Sequence, residues 1–100
     1  MHQGFYTAVG TPVDQEGHVI TDSLTKQIND QVECEASGLL VMGSMGLGVF
    51  VRDKEYVLTA KTSIQAAHHA CPVFIGVTDT SIDRVSDRID ALKGLDIDGV

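Results

Sequence analysis

The stretch Leu39-Leu40-Val41-Met42-Gly43-Ser44-Met45-Gly46-Leu47-Gly48 decides how this chain is read. Four apolar residues run without alternation into a segment with three glycines and a serine. An uninterrupted apolar run of this length, bounded by glycine, predicts a strand buried in a parallel sheet. The glycines that follow allow the backbone to turn sharply and to bring bare N–H groups close to an anion. Two readings of the loop remain open at this point, an anion cradle and a tight corner. A dinucleotide fingerprint runs G-x-G-x-x-G, whereas Gly43, Gly46 and Gly48 give G-x-x-G-x-G, and no Gly-Lys-Ser/Thr of a P-loop is present.

Working outward, Gly4 to Val9 and Val73 to Val77 are similar apolar runs, and Asp98-Gly99-Val100 opens another. Strands are therefore expected to start near residues 5, 39, 73 and 98. Between them lie segments with helical periodicity. Asp22 is the expected N-cap of a helix carrying Leu24, Ile28, Val32 and Ala36, stopped by Gly38. Asp53 is expected to cap a second helix with Val57, Ala60, Ile64 and Ala67 on one face, ended by Pro72. Thr80 or Ser81 caps a third, with Ile82, Val85, Ile89 and Leu92 as its apolar stripe and Gly94 as its stop. Asp14 to Gly17 reads as a turn.

The order strand, helix, strand, helix, strand, helix, strand suits right-handed βα units and a parallel sheet. A closed (β/α)8 TIM barrel takes about 250 residues. On that fold, the 100 residues are the N-terminal part of a single domain, about the first three βα units and the start of the fourth strand. A net charge of −7 argues against nucleic acid and anionic membrane as partners. No apolar run approaches a membrane span and no secretion signal opens the chain, so the cytoplasm is the expected compartment. Cys34 and Cys71 have no metal-type spacing and are expected to be small, buried, inert thiols.

Parallel-sheet enzymes place their chemistry at the carboxyl ends of the strands, which directs attention to the loops after residues 9, 42 and 77. Other polar residues read more plainly. His68 and His69 are expected at a solvated helix end, His18 in a turn without a ligand partner, and Asp79 as a helix N-terminal anion. Asp83, Asp87 and Asp90 with Arg84 and Arg88 read as an exposed helix face laced with weak pairs. Tyr6 and Tyr56 read as packing residues.

Gly4, Ala8-Val9-Gly10-Thr11-Pro12, Asp14 to Gly17, Gly43-Ser44-Met45-Gly46, Glu55, Pro72-Val73 and Ile75-Gly76-Val77 together resemble the N-terminal part of the dihydrodipicolinate synthase / N-acetylneuraminate lyase family. The likeness runs in register over essentially the whole chain. It implies a TIM-barrel class I aldolase, usually a homotetramer, that binds pyruvate or another 2-oxo acid as a Schiff base on a lysine and combines it with an aldehyde, with no cofactor and no metal. The same resemblance implies Ser44 as a proton-relaying catalytic residue and Ala8, Ser44 and Met45 as substrate-binding positions. Met45 stands where the family usually has a hydroxyl residue, and Leu47 where glutamate is common. Gly46-Leu47-Gly48 is similar to the version in archaeal 2-keto-3-deoxygluconate aldolases, so a 2-keto-3-deoxy sugar-acid aldolase is an alternative within the family. A non-catalytic α/β binding domain is the alternative outside it. Lys26, Lys54, Lys61 and Lys93 all fall in helical segments and none follows a strand; the resemblance implies that the Schiff-base lysine comes from a later strand, beyond Val100.

Overall fold

The computed structural model describes residues 4–43 and 48–100. Three parallel strands, β1 (Tyr6–Val9), β2 (Gly38–Val41) and β3 (Val73–Ile75), lie in the order β1-β2-β3. Helix α1 (Thr21–Glu33) connects the first two, and α2 (Asp53–Ala67) connects the second to the third. A short 3-10 turn, Gly48–Phe50, precedes α2, and α3 (Ile82–Ala91) follows β3. The fourth strand is represented by one parallel bridge, Phe74 to Gly99, with Ile75 N donating to Gly99 O.

The register sorts the two faces of the sheet. Rows Thr7/Leu39/Val73 and Val9/Val41/Ile75 alternate with the row Ala8/Leu40/Phe74. Val9, Leu39, Val41, Val73 and Ile75 are buried against Leu24 and Ile28 of α1 and Tyr56, Ala60 and Ala67 of α2. On the opposite face Ala8 and Leu40 are exposed, and Tyr6 packs edge-on to Phe74 across Gly38. The three strands are thus covered on one side only, among the described residues, where unbroken apolarity predicted both.

Helix boundaries depart from the sequence expectations for local reasons. Helix α1 begins two residues early, with Ile20 as N-cap and no side-chain cap, so Asp22 sits inside the first turn. It ends at Glu33, not at Gly38: Glu35 takes the left-handed turn (φ 63°) and Ala36 N reaches back to Gln31 O. Gly38 is required in β2 instead, since a Cβ there would come within 2.5 Å of the Tyr6 ring. Asp53 is likewise the first helical residue of α2, with Arg52 as its N-cap. The helix stops at Ala67, well before Pro72, because His68 and His69 both adopt left-handed backbone (φ 48° and 60°). The two histidines lie past the helix and not in its last turn.

The buried face of α2 is Tyr56, Thr59, Ala60, Ser63 and Ala67, rotated from the expected stripe so that Val57 and Ile64 flank it. The hydroxyls of Thr59 and Ser63 donate to the carbonyls four residues earlier, Glu55 O and Thr59 O, at 2.8 Å. Satisfied this way, the two hydroxyls can be fully buried without an unpaired donor. In α3, Ser81 caps as expected, accepting from Arg84 N. Of its expected apolar stripe only Leu92 reaches the core: Ile82 is 85% exposed, Val85 is half-buried, Ile89 is exposed, and Arg88 turns inward instead. Cys34, at the C-cap of α1, is exposed and not buried, because the helix ends there; Cys71 is half-buried.

Candidate functional site at the carboxyl edge of the sheet

At the end of β2 the backbone makes an abrupt change of direction. Met42 leaves the strand in left-handed conformation (φ 57°) with its side chain in the core. Gly48 N then donates to Gly43 O at 3.2 Å, so the chain returns to the strand end after a short excursion. Two glycines press onto this corner. A side chain at Gly48 or at Gly76, the residue after β3, would collide with Met42 O. Gly76 N also donates to Val41 O at 2.7 Å. These contacts supply a physical reason for glycine at both positions, close backbone approach, which is the condition under which a loop can offer N–H groups to a ligand.

Ser44 and Met45, the catalytic and substrate-binding residues expected from the sequence, lie outside the described residues, as do Gly46 and Leu47. The neck formed by Gly43 and Gly48 is therefore the described part of that loop. Ala8, the other expected contact, is exposed one residue before the carboxyl end of β1, in the same row as Leu40. Gly10, just beyond it, donates its N–H to Gln27 Oε1 of α1 at 2.7 Å, and Thr7 Oγ1 donates to Gln31 Oε1 at 2.9 Å. These two glutamines fix the end of β1 to α1.

A network of charges stands beside the neck. Arg88 is only 4% exposed. Its two terminal nitrogens donate to Gly48 O (2.7 Å) and Val51 O (3.3 Å). Its guanidinium lies 4.5 Å from the centre of the Tyr56 ring, and Tyr56 OH donates to Gly76 O at 2.7 Å. Arg88 Nε is 3.0 Å from Asp79 Oδ2 but with N–H directed off the oxygen, so that contact is a charge pairing and not a formed hydrogen bond. Asp79 Oδ1 accepts from Arg84 Nε at 2.9 Å and from Thr80 N at 2.7 Å. The Arg84 hydrogen bond, and then that of Thr80 N–H, hold the Asp79 carboxyl down at about 2 against desolvation, with the nearby charges of Arg84 and Arg88 adding less. Burial pushes the Tyr56 phenol up to about 12, with the charge of Arg88 opposing.

Sequence reasoning placed Arg88 on an exposed face and Asp79 as a simple helix-end anion. The structure corrects the first and enlarges the second: the Asp79 side chain is 3% exposed and pairs with two arginines. The repeated Asp-Arg spacing of α3 was the visible signal, but periodicity alone does not say which arginine turns inward. Asp83, Asp87 and Asp90 are exposed as expected. Tyr56 is a packing residue with a bonded hydroxyl. Lys26, Lys54 and Lys61 stand on α1 and α2, and Lys93 follows α3. Among the described residues no group of three or more His, Cys, Asp or Glu is arranged to hold a metal ion, and no helix is long and apolar enough to cross a membrane.

Parallel strands joined through helices, with a glycine-pinched neck at the carboxyl edge of the sheet, define an α/β protein built of βα units. The model of the dihydrodipicolinate synthetase family matches residues 1–93, and the chain belongs to that family. A 4-hydroxy-tetrahydrodipicolinate synthase from Porphyromonas gingivalis is 26% identical over 98 residues, which is 98% of this chain and 33% of that protein. The dihydrodipicolinate synthase of Acinetobacter baumannii, solved with pyruvate, superposes with a TM-score of 0.87 at 25% identity, over 96% of this chain and 33% of the other. The N-acetylneuraminate lyase of Proteus mirabilis gives 0.84 at 20% identity, over 96% and 32%. The chain thus spans about a third of the length of the relatives it matches.

Proposed function

We propose that this chain forms the first three βα units and the opening of the fourth strand of a (β/α)8 barrel that acts as a class I, Schiff-base aldolase or lyase on pyruvate or a related 2-oxo acid. The face carrying Ala8, Leu40 and Phe74 is apolar and uncovered, while both crossover helices pack on the other. A closed barrel fills such a face with inward layers of side chains, whereas a doubly wound sheet would place helices on it. Family membership and the A. baumannii pyruvate complex support the substrate class.

The observation that carries the activity is the pinched glycine loop at the carboxyl edge. A 2-oxo acid carboxylate needs converging donors, and residues 43–46, held at a fixed neck, would supply backbone N–H groups and the Ser44 hydroxyl. Ser44 would also relay the proton of the enamine step to a tyrosine from a later strand. The lysine that condenses with the 2-oxo carbonyl, losing water to form the iminium, would come from beyond Val100. Met45 offers only its N–H, and Ala8 would contribute to the wall beside the bound acid. An acceptor aldehyde, a homotetramer and a cytoplasmic location complete the reading. Borohydride reduction of the full-length protein with pyruvate tests it: a stable adduct on a strand-borne lysine is expected, and no adduct at any pyruvate concentration refutes it.

A further inference from the structure

We propose that Arg88 is a positioning residue that fixes the 48–51 limb beside the proposed carboxylate site, by clamping two of its carbonyls. This rests on the reading of residues 43–46 as the carboxylate site. Arg88 reaches Gly48 O, at the first residue of the 3-10 turn, and Val51 O, at the residue after it, so a planar fork spans that turn. A guanidinium presents two donors in one fixed plane and can also sit over an aromatic ring, here with its carbon 4.5 Å from the Tyr56 ring centre.

Arg88 also meets Tyr56 and Asp79. Tyr56 lies under it and itself bonds Gly76 O, the backbone that presses on Met42 O opposite Gly48. Asp79, in the loop after β3, balances its charge and is fixed in turn by Arg84 and Thr80 N–H. One buried cation thereby joins the segments that follow β2 and β3 with α2 and α3. Gly48 N is the donor that closes the neck on Gly43 O, so fixing Gly48 fixes the point from which residues 44–47 depart. Small displacements of converging donors weaken ligand binding strongly, so a loosened neck is felt first as lost affinity for the acid.

The test uses Arg88→Met, which keeps the stem and removes the donors, and Arg88→Lys, which keeps the charge and a single-point donor, both in the full-length protein. Hydrogen exchange of the 48–52 amides without ligand, pyruvate half-saturation from borohydride trapping, and kcat at saturating pyruvate are measured. Arg88→Met is expected to speed exchange, raise half-saturation about 10-fold and change kcat less than about threefold; Arg88→Lys is expected to show a smaller rise of about threefold, since binding and not the chemical step is affected. If Arg88→Met does not fold, Arg88→Lys carries the test, and a half-saturation equal to wild type overturns the proposal. It is also overturned if kcat falls with half-saturation unchanged, or if lysine is no better than methionine. A wild type that traps no adduct overturns the aldolase reading and this inference with it. A wild type that traps adduct and is matched by Arg88→Met in exchange and half-saturation overturns the inference alone.

Discussion

His18 Nδ1 lies 2.6 Å from Glu55 Oε1, which ties the turn after β1 to the first helical turn of α2. The turn is itself well built. Val13 and Val19 bridge antiparallel, and Asp14 Oδ1 accepts from Glu16 N and His18 N. Backbone hydrogen bonding, led by His18 N–H, holds the Asp14 carboxyl below its ordinary value. Arg52 adds a second link by donating to Glu16 O at 3.1 Å. Glu55 is buried while His18 is half-exposed, so the glutamate depends on the histidine for its partner. A double-mutant cycle of His18→Ala and Glu55→Gln in the full-length protein is expected to show a coupling of about 1 to 2 kcal/mol in denaturant unfolding. Additive single effects would mean the contact contributes nothing to holding the two loops together.

The Asp79 carboxyl predicts a pH dependence with a definite sign. Its folded-state value, about 2, is below the ordinary 3.8, so the stabilisation it brings is complete only above about pH 5. That stabilisation is lost as pH falls from about 5 through 2, where the carboxylate that faces Arg84 and Arg88 is neutralised. Wild type is therefore expected to lose stability more steeply over that acidic window than Asp79→Asn, which has no such proton to take up. Unfolding midpoints measured across it should converge at the acid end; parallel curves would show that Asp79 titrates alike in both states.

The two thiols, expected alike from the sequence, are unlike in the structure. Cys34 is exposed at the end of α1. Cys71 is half-buried, and burial, with the charge of Asp98 adding to it, raises its thiol above the ordinary value. The thiolate is the reacting form, so Cys34 is expected to label faster with a maleimide at neutral pH, by about 10-fold. Neither thiol is at the carboxyl edge, and labelling of Cys34 is expected to leave pyruvate adduct formation unchanged. Peptide mapping after timed labelling decides both points.

These contrasts mark what the sequence shows and what it hides. Strands β1 to β3 were legible because Tyr6–Val9, Gly38–Val41 and Val73–Ile75 are runs of apolar residues between turn formers, a signal that survives without knowledge of neighbours. The turn out of β2 was legible from Gly43 and Gly48, whose backbones meet, while only the family motif suggested a purpose for the residues between them. The helix ends were misplaced because Gly38 serves a neighbouring strand's aromatic ring and Glu35, His68 and His69 take left-handed backbone unaided by glycine. Arg88 was hidden most deeply. A charged residue is read as exposed unless its partners are known, and its partners are two backbone carbonyls 37 and 40 residues away. Backbone acceptors carry no mark in a sequence.

The opening loop gives the last prediction. If Ser44 relays a proton beside a bound 2-oxo acid, Ser44→Ala in the full-length protein is expected to lower kcat by about 10²-fold or more, the scale of a general acid–base group. Stability should change by only about 1 kcal/mol, because one hydroxyl in a loop is lost. Met45→Thr restores the hydroxyl that the family usually has, and is expected to tighten pyruvate binding by about 0.5 to 1.5 kcal/mol if the neighbouring N–H groups already converge on the carboxylate. Steady-state kinetics separate the two, since the first substitution acts on turnover and the second on half-saturation. A Ser44→Ala enzyme with wild-type kcat would remove Ser44 from the proton path, and a Met45→Thr enzyme with unchanged half-saturation would place residue 45 away from the carboxylate. Both results together would leave the Gly43 and Gly48 neck as a structural corner, with the 2-oxo acid held elsewhere.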